Sequence, residues 1–186
     1  MWFSKKFKHI EGKGIYLGKW EPKDEFGRSL SMVFDLYAAP QNLFTHDARQ
    51  LLVPFNKLYE VLDQRNLADA ENDKPTLMFS TYETLASHLR KGEYKGQWFL
   101  PTEDILIYML KNAYKGDLRN VFVRADEYHI NRDGAHRYHC LDKNPTYEQT
   151  DTYAISPHDA SHIQMFMADK REERASVHLV RAELRS

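Results

Sequence analysis

The stretch "GQWFLPTEDILIYMLKNAY" at residues 96–114 constrains the fold most, because its character changes within two residues. Gln97-Trp98-Phe99-Leu100 reads as a short strand of bulky apolar side chains, and Pro101 then removes an amide donor and stops its simple continuation. Thr102 stands where an N-cap belongs, and Glu103 and Asp104 face the positive end of the helix dipole. Ile105, Leu106, Met109, Leu110 and Ala113 then fall on one helical face. A strand that feeds so abruptly into an amphipathic helix needs a core that both elements share. Core packing is accordingly assigned to Trp98 and Phe99, and with them to Phe34 and Phe166.

Periodicity orders the rest of the chain. "GIYLGKW" (14–20) and "SLSMVFDLYAA" (29–39) predict a β-hairpin, with "EPKDEFGR" supplying the turn. Its second strand alternates, with Met32, Phe34 and Leu36 on one face and Val33, Asp35 and Tyr37 on the other. From Thr45 the spacing of Ala48, Leu51, Leu52, Phe55, Leu58, Tyr59 and Leu62 predicts an amphipathic helix, kinked or divided at Pro54. "RNLADAENDKP" reads as an exposed loop. A further helix begins at "STYE", where Ser80 and Glu83 have capping-box spacing, continues through Leu85 and Leu89, and ends around Gly92 and Gly96. Beyond the opening stretch, residues 120–124, 152–156, 163–168 and 176–184 are strand candidates. The order strands, helices, strands predicts an α+β fold: a single compact domain of antiparallel strands with two to three helices. The domain is assigned to residues 13–186, and Lys5, Lys6 and Lys8 mark residues 1–12 as a solvated basic arm.

Composition removes whole classes of function. The 186 residues, 42% apolar and 13% aromatic, are enough to bury a core. Lysine plus arginine number 26 against 27 aspartates and glutamates, so no bulk charge points to nucleic acid or an anionic membrane. Cys140 is the one cysteine and cannot form an internal disulfide, which suits a reducing compartment. With no apolar h-region at the start and no membrane-length apolar run, the expected location is the cytoplasm, or release by a route without a classical signal peptide.

The residues able to carry chemistry cluster late. His129, His136, His139 and Cys140 in "EYHINRDGAHRYHC", with His158 and His162 in "SPHDASH", are the imidazole and thiolate groups that suit zinc, copper or iron. An H-x3-H pair puts two rings on one face only if its backbone is helical, and Pro157 and the strand-like flanks argue against that. No metal and no cofactor are expected, and the histidines are assigned to surface or hydrogen-bonded roles. Cys140 could act as a nucleophile with His136 or His139 as base, but adjacent side chains in extended chain point apart, so a small buried core residue is the expectation. No Gly-rich phosphate loop, G-x-S-x-G, H-E-x-x-H or paired-carboxylate signature occurs. Tyr128, Tyr138 and Tyr147 lie in polar surroundings and are expected to be exposed recognition residues.

"GQWFLPTEDIL" resembles the W-x-L-P-T-x-x-E-L signature of the Lcl C-terminal-type domain family, found in bacterial surface and phage proteins. Trp98, Leu100, Pro101 and Thr102 match, and Ile105 takes the acidic position. "YHCLD" (138–142) is similar to that family's second landmark at Tyr138, Cys140 and Asp142, and "IQMFMADK…VHLVRAEL" to its last two strands, with Lys170 in place of a glycine. The resemblance implies a C-type-lectin-like domain, similar also to the formylglycine-generating-enzyme fold, whose long irregular segment, here about 117–150, displays binding residues. Formylglycine-generating relatives use two cysteines for copper, which one cysteine cannot reproduce, and the carboxylate-rich stretches of a lectin calcium site do not occur. The implied function is a non-catalytic recognition domain of bacterial or phage origin that binds a protein or glycan through Tyr128, Arg132, His136, Arg137, Tyr138 and Tyr147. The alternatives are a phage or mobile-element inhibitor of a host enzyme or defence protein, and a metal-dependent enzyme using the His/Cys cluster.

Overall fold

Residues 14–20 and 34–38 pair because the chain between them turns on one carboxylate. Asp24 Oδ1 accepts the amides of Phe26 and Arg28 at 3.0 and 2.9 Å, and its Oδ2 accepts Arg28 Nε at 2.9 Å and Arg90 Nη2 at 3.1 Å. An Asx-type turn of this kind satisfies loop amides that no ladder reaches. The computed structural model describes residues 5–41, 52–58, 81–119, 121, 136–143, 148–156, 159–172 and 174–185. In chain order its elements are β1 (His9–Ile10), β2 (Gly14–Trp20), β3 (Phe34–Ala38), β4 (Leu52–Pro54), α1 (Tyr82–Arg90), α2 (Glu103–Lys111), β5 (His136–His139), β6 (Gln149–Ser156), β7 (Asp159–Asp169), β8 (Arg174–Ser176) and β9 (Val180–Leu184).

They form a compact α+β domain with two sheets, ordered β1-β2-β3-β9 and β4-β8-β5-β6-β7. The first is antiparallel throughout, with Trp20 opposite Phe34 and Phe34 opposite Leu184. The second is mixed, since β5 meets β8 in parallel at Tyr138 and Ser176. Helix α2 buries Ile105, Leu106, Met109 and Leu110, and its Tyr108 hydroxyl donates to the Leu17 carbonyl of β2 at 3.2 Å. The hairpin forms and the one-sided stripe of α2 matches its sequence pattern, but the second strand is only 34–38 rather than 29–39, and Tyr37 is buried at 4% beside Phe34 and Leu36, so β3 is covered on both faces rather than half-buried.

The junction at 98–102 joins the two sheets. Phe99 exchanges both backbone hydrogen bonds with Val180 of β9, at 2.8 and 2.9 Å, and the Pro101 carbonyl accepts the amide of Leu141 at 2.8 Å. Trp98, Phe99 and Leu100 are buried at 0%, 1% and 2% exposure. What the sequence suggests as a strand is therefore isolated bridge pairing at Trp98 and Phe99, with Phe99 antiparallel to Val180, followed by a helix entry. Gly14 faces the same core: a Cβ there would lie 2.4 Å from the Ala38 carbonyl oxygen and 3.1 Å from the Trp98 ring, and its φ of +104° lies where glycine is favoured.

Several elements differ from expectation. The amphipathic helix from Thr45 is absent where it can be seen: Leu52–Pro54 is strand β4 and Phe55–Lys57 a single 3-10 turn, while 42–51 and 59–80 lie outside the described residues. Proline, lacking an amide hydrogen, fits β4 because among the described residues β4 ends its sheet. Val121 is helical, as are Leu118 and Arg119, so this part of 120–124 is not a strand. The 176–184 segment divides between sheets, with Val177, His178 and Leu179 crossing in the interior at no more than 1% exposure. Residues 5–12 keep Lys5, Lys6 and Lys8 exposed but are not a free arm: β1 pairs with β2, the Phe7 amide donates to the Tyr16 carbonyl at 2.7 Å, and the Phe7 carbonyl accepts the amide of Asp117 at 2.8 Å. Lys13 likewise pairs with Glu183 at 2.6 Å.

Candidate functional site

The first sequence-predicted binding residue to correct is Tyr138. It is buried to 2% exposure, because β5 lies between β8 and β6 in the second sheet. His139, its neighbour on the opposite face, is 1% exposed, so both faces of β5 are covered. A polar sequence around Tyr138 therefore marks an interior strand rather than a recognition loop. Arg137 is partly buried on the same strand, and His136 pairs with Ile155, its side chain lying outside the described set. Tyr128, Arg132 and Tyr147 lie outside the described residues. The end of the supposedly irregular 117–150 segment is thus regular, with β5 and the start of β6 inside it.

The candidate reactive groups are held inert. His139 Nε2 lies 2.6 Å from the Val53 carbonyl oxygen, and its ring meets Phe55 edge-on with centroids 5.7 Å apart. Burial lowers its pKa to about 4, against the opposing pull of that carbonyl, so the imidazole is neutral near pH 7. Cys140 is buried, and its Sγ is 3.7 Å from the Asp151 carbonyl oxygen. Burial pushes its thiol pKa well up, and the charges of Asp151 and Asp142 push in the same direction, so the thiolate is disfavoured. His162 belongs to β7, which removes the helical H-x3-H geometry; His129 and His158 lie outside the described residues. Among the described residues no three His, Cys, Asp or Glu side chains come together as a metal site.

A pocket of about 620 Å³ opens where α2 meets the second sheet. Antiparallel pairing sets Gln149 opposite Asp169, Asp151 opposite Met167 and Tyr153 opposite Met165, so these six side chains share one face of the β6–β7 ladder. The first residue of α2, Glu103, and the 140–143 segment complete the walls. Glu103 is fixed from three sides: its amide donates to the Tyr82 hydroxyl at 2.6 Å, its carboxylate accepts the Tyr153 hydroxyl, and its other oxygen pairs with Lys143. A carboxylate at a helix N-terminus is also favoured by the dipole. Burial first, then the neighbouring Cys140 and Asp151, raise the Tyr153 phenol, consistent with its donating rather than ionising.

The pocket is acidic with an apolar side. Five carboxylates, Glu103, Asp142, Glu148, Asp151 and Asp169, line it with one lysine, Lys143. Asp142 is paired with Lys170 at low exposure. Among the described residues no cationic side chain pairs with Glu148, Asp151 or Asp169, the last accepting only the Arg171 amide at 2.8 Å. Met165 and Met167 stand out at 57% and 67% exposure. In the sequence Glu103 reads only as a partner of the helix dipole, and nothing local marks Asp151, Tyr153, Met167 or Asp169 as site residues. The signal that could have found them is period two across the paired strands, which aligns Asp151 and Tyr153 with Met165 and Met167.

These features define a two-sheet α+β domain with an open, acidic, methionine-edged pocket at a helix N-terminus. Comparison of the chain with protein-family models, with curated proteins and with solved structures finds no match. Among the described residues no helix is long and apolar enough to cross a membrane.

Proposed function

We propose that this protein is a non-catalytic recognition domain and that the pocket between α2 and the β6–β7 ladder receives its partner. The observation that carries this reading is the combination in one cavity of a fixed anchor, Glu103 held by Tyr82, Tyr153 and Lys143, with exposed methionine and carboxylates that no cation among the described residues pairs. Prearranged polar groups beside apolar surface are what ligand sites require. Recognition is favoured over catalysis because the buried thiol of Cys140 and the neutral, engaged ring of His139 are poor nucleophile and base. The Lcl C-terminal-type resemblance implies the same kind of role, and its last two strand motifs fall on residues 163–169 of β7 and on β9 beside β3. The partner is a protein rather than a glycan in this reading, since exposed methionine suits protein surfaces.

A photo-crosslinking benzophenone residue at Met167, with one at the exposed Phe26 as control, tests it in cells expressing the protein. A discrete adduct from position 167 alone, lost in Asp151→Asn/Asp169→Asn, is expected. Equal adducts from both positions, or an adduct indifferent to the two carboxylates, would remove the pocket from the function.

A further inference from the structure

We propose that the partner enters as an extended segment laid along the outer edge of β7, with a lysine or arginine side chain reaching into the pocket. This rests on the recognition reading above and names its ligand. Among the described residues β7 pairs with β6 alone, so its other edge ends the five-stranded sheet. At 11 residues it is long for an edge, and "DASHIQMFMAD" contains no proline, lysine or arginine. Proline and lysine are among the devices by which exposed edges are protected from pairing; the register shift of the β6–β7 pair lies only at the Asp159 end, so the regular run 163–169 is the template for an added strand.

Charge and shape then select the occupant. Met167 lies directly across from Asp151, and Asp169 is two residues along the same face. A lysine or arginine stem can lie on the methionine thioether while its head group meets Asp151 and Asp169, the way amphipathic cations cover apolar surface. Glu103 and Asp142 already have Lys143 and Lys170 as partners, which leaves Glu148, Asp151 and Asp169 to receive the cation. In an added strand every second side chain faces the pocket, so basic residues at alternate positions fit best. A nucleic acid or an acidic peptide would meet the like charge of Glu148, Asp151 and Asp169.

The full-length chain is titrated at low salt with a fluorescein-labelled heptapeptide of alternating valine and lysine, with its glutamate counterpart, and with a lysine version carrying proline at alternate valines. Anisotropy should show the lysine peptide binding, the glutamate peptide not binding, and the proline version weakened at least ~10-fold, because proline cannot donate to the ladder. Asp151→Asn/Asp169→Asn should weaken the lysine peptide at least ~10-fold with an unchanged melting curve. Amide shifts in nuclear magnetic resonance should concentrate on residues 163–169. Equal binding of the proline version would overturn the strand-pairing part, and binding indifferent to Asp151 and Asp169 would overturn the cation part. If the lysine peptide fails while Met167 still crosslinks a partner, this ligand is wrong and the recognition reading stands. Failure of both removes both.

Discussion

Trp98 shows what one residue contributes here. Its ring is fully buried, the Arg181 guanidinium lies 5.6 Å from its centroid, and Gly14 is kept free of a Cβ by the same packing. Trp98→Ala should cost roughly 3–5 kcal/mol, combining lost burial with a cavity that the strands cannot close. A urea melt showing it neutral would mean that the junction is not the centre of the core. Two other single residues set the response to acid. Burial lowers His139 to about 4 and His178, despite its backbone hydrogen bond with Ala39, to about 3. Both folded values lie below the ordinary histidine value of about 6.5, so the unfolded chain takes up protons first as pH falls. Stability is therefore complete above about 6.5 and is lost towards 4, at about 1.4 kcal/mol per pH unit for each ring. Comparing denaturant melts at about pH 7 and about pH 5, His139→Gln should lose less stability on acidification than the unchanged chain. Equal losses would show that His139 does not carry this dependence.

At the scale of elements, helix starts separate sequence from structure. The spacing of Ser80 and Glu83 predicts the capping box of α1 there, but the box is one residue along: Thr81 Oγ1 accepts the Thr84 amide and Thr84 Oγ1 accepts the Thr81 amide, each at 3.2 Å. Thr81 is held there by a bridge to Asp142, a contact remote in sequence that spacing cannot reveal. The second start was located correctly, yet the Thr102 hydroxyl donates to Asp104 instead of capping the backbone. Thr81→Ala should accordingly cost about 1 kcal/mol, and Thr102→Ala clearly less, in parallel thermal melts. The reverse order would show that these hydrogen bonds are not what holds the helix ends. Local period was enough to find the β2–β3 hairpin, α2 and most of β6 and β7. It failed where tertiary pairing decides: Pro54 is tolerated at a sheet edge, 176–184 changes sheets at buried Val177–Leu179, and Tyr138 is covered from both sides. The pocket was illegible for the same reason. Glu103, Asp151 and Met167 come from three separated segments, and only the β6–β7 register brings the last two face to face.

At the scale of the whole molecule, residues 5–10 tie α2 and the turn after it to the first sheet. Phe7 adopts a φ of 62°, uncommon for a side chain of its size, and is held there by the hydrogen bond its amide donates to the Tyr16 carbonyl and the one its carbonyl accepts from the Asp117 amide. The His9 amide donates to Asp117 Oδ2 at 2.7 Å, and the Phe7 ring lies 6.1 Å from that of Tyr108 on α2. Gly116 receives this segment closely, since a Cβ there would come within 2.2 Å of the Phe7 carbonyl oxygen. A positive φ in a bulky residue persists only when surrounding contacts over-determine it, and here they come from β2, α2 and the turn at 116–117. Residues 5–10 thus clasp the loop after α2 to the β2 edge. Removing residues 1–10 should lower stability by several kcal/mol, and Phe7→Ala alone by about 1–3 kcal/mol, less than a full core cavity because its ring is only partly buried. Because the clasp lies on the first sheet, the truncated chain should still bind the basic β-peptide wherever it remains folded. A truncated chain as stable as the full one would return these residues to the role of a solvated arm. A truncated chain that is folded but no longer binds would instead couple the clasp to the pocket through α2, whose first residue, Glu103, lines it.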